Sequence, residues 1–279
     1  MFGNEGPANP SNAPFTASPQ WMAAAFAQAG AVSGTQAQGP EVPDAAWPWL
    51  LGLLHHNSLA SVDAYRAVVS SMVHRYDGAG LQRKLRAIAS ATSPAMLARE
   101  TAPLSGWHPA LRRGAIAIHT GNCFSRDFLP PSAMQAAPAG KAWSALRQTG
   151  AHTPNVAARI TSYLVLLTIH PYRDGNGRTA RLLFAADTLS AGDSPTDLLG
   201  LVWLHGQRGA RFHLAAKCAR AGDFEMLFAL YAESKAQALQ QLRAPLEALS
   251  AALRAGDEGE ADAAARALHG LAATHAQAG

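Results

Sequence analysis

The sequence predicts an all-α protein, a bundle of helices with one short β-hairpin inserted. Two observations carry this reading. In most of the chain apolar residues recur at helical spacing, as in Val156, Ile160, Tyr163, Leu164 and Leu167. Arg112 to His119 instead alternates small and branched residues and runs into Thr120-Gly121-Asn122, which reads as a strand entering a turn. The composition supports a packed core, with 48% hydrophobic and 15% charged residues, and the length suits one large domain or one domain with a small appendage.

Residues 1–42 are rich in Ala, Gly, Pro, Ser, Gln and Asn, and ordered structure is not expected there. Within them, Gln20 to Ala29 is long enough for a helical turn or two around Trp21, Met22 and Phe26. A secretion signal or chaperone-docking segment of a bacterial effector is the sharper reading of this region. Residues 43–104 form an N-terminal helical part. Trp47, Leu50, Leu51 and Leu54 mark one apolar face, Tyr65, Val68, Val69 and Met72 a second between Ser61 and Tyr76, and Leu81, Leu85 and Ile88 a third. Asp77-Gly78 and Gly80 separate the last two. His55 and His56 read as surface groups at a helix end, since no acid or cysteine stands at metal-ligand spacing.

The hairpin continues through Phe124 to Pro131, and Ser132 is placed to cap a helix bearing Met134, with helical character resuming from Lys141 to Gln148. Thr153-Pro154 supplies an N-cap and first residue for the helix over 155–169. Pro171 disfavours α conformation at His170, so that helix should end there. A second helix runs from Arg178 to Leu189 and stops near Gly192. Apolar Asp197–His205 is helical too, and Asp223 caps a helix from Phe224 to about Ala244, where Pro245 marks a break. Residues 241–279 then form a helical hairpin around Gly256-Asp257-Glu258-Gly259.

The chemistry concentrates in His170-Pro171-Tyr172-Arg173-Asp174-Gly175-Asn176-Gly177-Arg178-Thr179-Ala180-Arg181. Gly175-Asn176-Gly177 can take positive φ, which lets successive backbone N–H groups converge into an anion nest. The helix that begins just after adds its own N–H groups and positive dipole. Arg178 and Arg181 share one face of its first turn. Arginine opposes the dipole there, and an anionic ligand removes the conflict. Asp174 supplies a hard oxygen beside the nest, suited to Mg²⁺ bridging phosphates. His170, near its free pKa, can be neutral and accept a proton.

These residues resemble the Fic family signature His-Pro-Phe-x-Asp/Glu-Gly-Asn-Gly-Arg-x-x-Arg, with Tyr172 in place of the usual Phe. The resemblance extends from about Arg112 to Phe228, and the Fic core is assigned to residues 105–240. It implies a helical fold and transfer of AMP from ATP to a hydroxyl of a target protein. By resemblance, His170 is the general base, Asp174 holds Mg²⁺ against the α- and β-phosphates, and Asn176 positions the α-phosphate. Gly175 and Gly177 cradle the phosphates, Arg178 meets the β-phosphate and Arg181 the γ-phosphate. The hairpin at 112–131 corresponds to the flap that docks the target chain by strand addition. Phe212 is a candidate adenine-stacking residue.

Many Fic proteins are silenced by a helix carrying Ser/Thr-x-x-x-Glu-Gly/Asn, whose glutamate pairs with the second motif arginine. Glu5-Gly6 and Glu258-Gly259 are the Glu-Gly pairs here, neither with Ser or Thr four residues before, and Val62 stands where Ser58 would place the glutamate. Arg181 is therefore expected to be free, with inhibition, if any, supplied by a separate antitoxin-like protein. Missing that acid also makes AMP removal a poor fit. Gly177 argues against the Doc-type phosphoryl transfer, in which Lys takes that place. Another nucleotide or a diphosphate-linked alcohol as donor, and a catalytically silent nucleotide-binding module, are the alternatives.

A formal net charge of +4 suits an anionic ligand, but no dense Lys/Arg run with interleaved aromatics suggests nucleic acid. Cys123 and Cys218 are too few for a disulfide framework or a zinc site. The chain shows no apolar run of transmembrane length and no secretory signal pattern. The expected location is the cytoplasm, or a host cell reached by secretion as an effector.

Overall fold

The computed structural model describes residues 15–32, 39–55, 58–114, 129–148, 155–206 and 210–278. Among them lie α1 (Pro19–Ala31), α2 (Trp47–Leu54), α3 (Val62–Arg75), α4 (Gly78–Ala89), α5 (Pro94–Ser105), α6 (Ala133–Gln148), α7 (Val156–Ile169), α8 (Asn176–Ser190), α9 (Asp197–Gly206), α10 (Ala210–Arg220), α11 (Glu225–Ala255) and α12 (Glu258–Ala278). The expected all-α architecture is the one observed. The expected hairpin at 112–131 falls mostly on residues 115–128, outside the described residues. Its approach is described: Leu111 forms an isolated antiparallel bridge with Tyr172.

The two helices flanking the motif form the centre. α7 is buried along nearly its whole length, and α8 is buried from Thr179 to Thr188. They pack on each other, with α1 and α6 against α7 and with α2, α4 and α5 against α8. α9 touches α8 and α2 and carries α11 and α12 on its other side.

Capping explains most helix starts. Ser61 accepts from Ala64 N–H at 3.1 Å, Asp77 from Gly80 at 2.6 Å and Ser93 from Met96 at 3.2 Å. Ser132 and Gln135 form a reciprocal capping box. The cap of α7 is Asn155, whose Oδ1 accepts from Ala158 N–H at 2.8 Å, rather than Thr153; residues 151–154 lie outside the described residues.

Two expectations are corrected. Residues 15–32 are structured: Met22, Ala25, Phe26 and Ala29 of α1 are buried. Composition underrates this segment because its few large side chains are placed by distant parts of the chain. Trp21 Nε1 donates to Ala219 O at 3.0 Å, Gln28 Nε2 to Gly222 O at 2.7 Å, and Asn155 Nδ2 to Ala29 O at 2.9 Å. The last bond ties α1 to the residue that caps the motif helix. Pro245, in turn, does not break its helix, since α11 runs straight through it. An interior proline costs about 3 kcal/mol. Leu242, Leu246 and Leu249 around it are fully buried, each worth about 1.5–3 kcal/mol, which outweighs that cost.

Candidate active site

α7 ends at His170, the one non-glycine residue with positive φ among the described residues (φ 50°). A left-handed conformation costs an L-residue about 1–2 kcal/mol, so the surroundings must hold it. They do so through the backbone. His170 N–H closes the last turn onto Leu166 O at 3.0 Å. Arg112 Nε donates to His170 O at 2.7 Å and its Nη2 to Ile169 O at 3.3 Å. The imidazole is steered as well: Nδ1 lies 3.3 Å from Leu167 O. A carbonyl only accepts, so Nδ1 carries the proton and Nε2 presents a lone pair. Burial pushes the His170 pKa below 6.5, partly opposed by the Leu167 carbonyl; Arg112 lowers it further and Asp174 raises it. The ring is therefore neutral at neutral pH.

The turn after His170 is locked from two sides. Arg112 N–H donates to Pro171 O at 3.0 Å and Arg173 N–H to Ala110 O at 2.8 Å, pairing residues 110–112 with the motif. Tyr172 is fully buried and its hydroxyl donates to Pro94 O at 2.7 Å. That bond gives the tyrosine at this position a use that phenylalanine lacks. Asn176 bonds both backbone groups of Tyr172: its Oδ1 accepts from the N–H at 3.0 Å and its Nδ2 donates to the carbonyl at 2.9 Å. Its side chain is thus occupied in closing the loop.

Gly175 sits at φ 84°, and a Cβ there would come within 3.0 Å of the Trp107 ring. Gly177 has a similar constraint, since its Cβ would meet Arg181 Nη1 at 3.3 Å. α8 starts here without a side-chain cap or an acid in its first turn. Its first helical bond is Thr179 N–H to Gly175 O, so the N–H groups of Asn176, Gly177 and Arg178 precede the helical ladder.

The charged groups divide. Asp174 is 61% exposed; one oxygen accepts from Gly175 N–H at 2.5 Å and the other from Arg178 Nη2 at 3.1 Å. Arg178 also lies over the Trp107 ring, 4.9 Å from its centroid. Arg181 is buried, with 6% exposure, and its Nε donates to Leu54 O at 2.6 Å. The expectation that Arg181 is free is therefore wrong: the C-terminus of α2 holds it. A backbone carbonyl far away in the chain therefore engages this arginine, a contact that no sequence pattern near Arg181 reports.

An exposed carboxylate beside a positive-φ glycine, at a helix start lacking an acid, could hold a divalent cation. Asp174 is the carboxylate at this turn that could take part in holding it. Among the described residues no cluster of three metal-ligating side chains occurs, so most of such an ion's ligands would come from phosphate and water.

All seven residues singled out in the sequence, His170, Asp174, Gly175, Asn176, Gly177, Arg178 and Arg181, fall on this one turn and its two helix ends. Phe212 is half-buried against the core on α10. His55, read as a surface group, is half-buried with Nε2 3.2 Å from Ser105 O; His56 lies outside the described residues. Sequence reasoning missed Trp107 and the roles of Arg112 and the Leu54 carbonyl, because no local pattern reports a side chain that reaches a distant backbone.

Fold and site define a helical protein with a glycine turn at an uncapped helix start beside a largely buried histidine. Residues 113–186 of this chain match the model of the Fic/DOC family. Fic domains generally transfer AMP or other nucleotide groups to proteins, and members are commonly transferases. A comparison with curated proteins finds no match.

Proposed function

We propose that the protein is a protein adenylyltransferase that moves AMP from ATP to a hydroxyl of a target protein. The observation that carries this reading is the joint placement of His170, with Nδ1 on Leu167 O, and the α8 start bearing Gly175, Gly177 and Arg178. The target hydroxyl attacks the α-phosphorus while His170 Nε2 takes its proton. The bond from that phosphorus to the bridging oxygen breaks, and pyrophosphate leaves. Such displacement depends on alignment and charge neutralisation. Gly175 and Gly177 let the phosphates approach the backbone, Asn176 fixes the turn near the α-phosphate, and Arg178 neutralises the β-phosphate. Arg181 meets the γ-phosphate once it exchanges Leu54 O for that oxygen. Asp174 would hold Mg²⁺, which would supply further neutralisation of phosphate charge, with Arg178 sharing or leaving that carboxylate. The target chain docks on residues 112–131. A separate antitoxin-like inhibitor would act by strengthening the hold of α2 on Arg181. An effector role, with the N-terminal segment serving export, is compatible with this chemistry. No helix among the described residues is long and apolar enough to cross a membrane.

The test is wild type against His170→Ala in a cell lysate with α- and γ-labelled ATP. Label from the α position only in wild type is expected. Label arriving only from γ would replace this reading with phosphoryl transfer, and label from UTP or GTP in preference to ATP would change the donor. ATP binding with neither transfer nor hydrolysis would leave a silent nucleotide-binding module.

A further inference from the structure

Arg112 is 7% exposed, and its guanidinium reaches four carbonyls. Nε donates to His170 O at 2.7 Å, Nη2 to Ile169 O at 3.3 Å and to Pro131 O, and Nη1 to Gly114 O at 3.4 Å. Its backbone N–H adds a fifth bond, to Pro171 O at 3.0 Å. Two of these carbonyls belong to the end of α7, one of them to the strained histidine itself. The other two, Gly114 and Pro131, are the residues on either side of the chain that leads through 115–128. Burial lowers the pKa of this guanidinium, and among the described residues it has no carboxylate contact. A stability element would be expected to pair such a buried charge with an acid, as Arg159 does with Asp197 at 2.6 Å.

We propose that Arg112 is a positioning residue, which fixes the left-handed His170 backbone and ties Gly114 and Pro131 to it. This rests on the adenylyltransferase reading only for which group is placed, the hydroxyl opposite His170 Nε2. The fork geometry is essential, because one planar guanidinium spans acceptors that a single ammonium cannot. The positive charge also lies near the imidazole; Arg112 and Asp174 are the charged groups that act on the ring, with opposite signs.

The experiment uses the full chain as wild type, Arg112→Lys and Arg112→Ala, with thermal melts to verify folding. Three quantities are read: affinity for Mg·ATP, the rate of α-label transfer, and the titration midpoint of the His170 ring by NMR without added metal. In Arg112→Lys, transfer should fall on the order of 100-fold with ATP affinity unchanged, because Arg112 contacts residues 114, 131 and 169–171 and not Asp174 or α8. In Arg112→Ala the ring midpoint should rise towards the ordinary histidine value, since the guanidinium and the burial it enforces both hold it down. Wild-type transfer in Arg112→Lys, or loss of ATP affinity in parallel with transfer, would overturn the proposal. Unfolding of both variants would also overturn it, by making Arg112 a structural staple. Were wild type itself to transfer no label, the ring titration would still decide: an unmoved midpoint in Arg112→Ala rejects the positioning role independently of the reaction.

Discussion

The two ends of the α7–α8 pair use arginine in opposite ways. At the far end, Arg159 is 1% exposed and meets Asp193 at 2.5 Å and Asp197 at 2.6 Å, while Lys235 binds the other Asp197 oxygen at 2.5 Å. Arg147 pairs with Asp187 at 2.6 Å, both buried. At the motif end, Arg112 and Arg181 reach backbone carbonyls, and Arg178 shares an acid that is mostly exposed. Carboxylates cancel charge, whereas carbonyls orient it. The first end is neutralised and braced. The second places arginine side chains on backbone carbonyls beside a turn of backbone N–H groups, an arrangement compatible with the proposed phosphate contacts.

Substitutions at the two ends should therefore separate stability from activity. The largest expected effect is on transfer: His170→Ala should cost about 10²–10⁴-fold with ATP-analogue binding and urea midpoint nearly unchanged, read by labelling and denaturation. At the opposite end, Arg159→Ala should destabilise by about 3–5 kcal/mol, because it leaves buried Asp197 with half its partners; urea unfolding measures it, and a loss below 1 kcal/mol would erase the contrast. Arg178→Ala should weaken Mg·ATP about tenfold, near 1.4 kcal/mol, with stability little altered, since its ion pair is exposed; calorimetric titration of the ligand decides. Tyr172→Phe should lose about 1 kcal/mol of stability through the stranded Pro94 carbonyl, with transfer retained. The mildest test is pH. With the His170 pKa depressed by burial, the acid limb of transfer should be centred below the ordinary histidine range, as the ring gains a proton. An acid limb centred above 6.5 would contradict the buried-imidazole geometry.

Helix positions on the central pair were legible because their signals are local. Apolar spacing in 155–169, the Pro171 stop and the glycines of the turn act within a few residues of themselves. Asn155 rather than Thr153 as cap is a local misreading of the same kind of signal, where two polar residues compete for one helix start. The errors with larger consequences were of another sort. Nothing near residues 15–32 announces that Trp21 and Gln28 will bond to the α10–α11 turn, nor does anything near Arg181 announce Leu54. Pro245 reads as a break because its cost is local, whereas the burial of Leu242, Leu246 and Leu249 that offsets it is tertiary.

By itself, then, the sequence determined the helical class, the turn between α7 and α8, and the identity of the groups on it, since dihedral preference and periodicity are properties of neighbouring residues. Tertiary structure alone decided what those groups touch. Arg181 on the end of α2, Arg178 over Trp107 and Arg112 across the His170 carbonyl are contacts between residues far apart in the chain, fixed by how helices pack and by which backbone groups are left needing a donor.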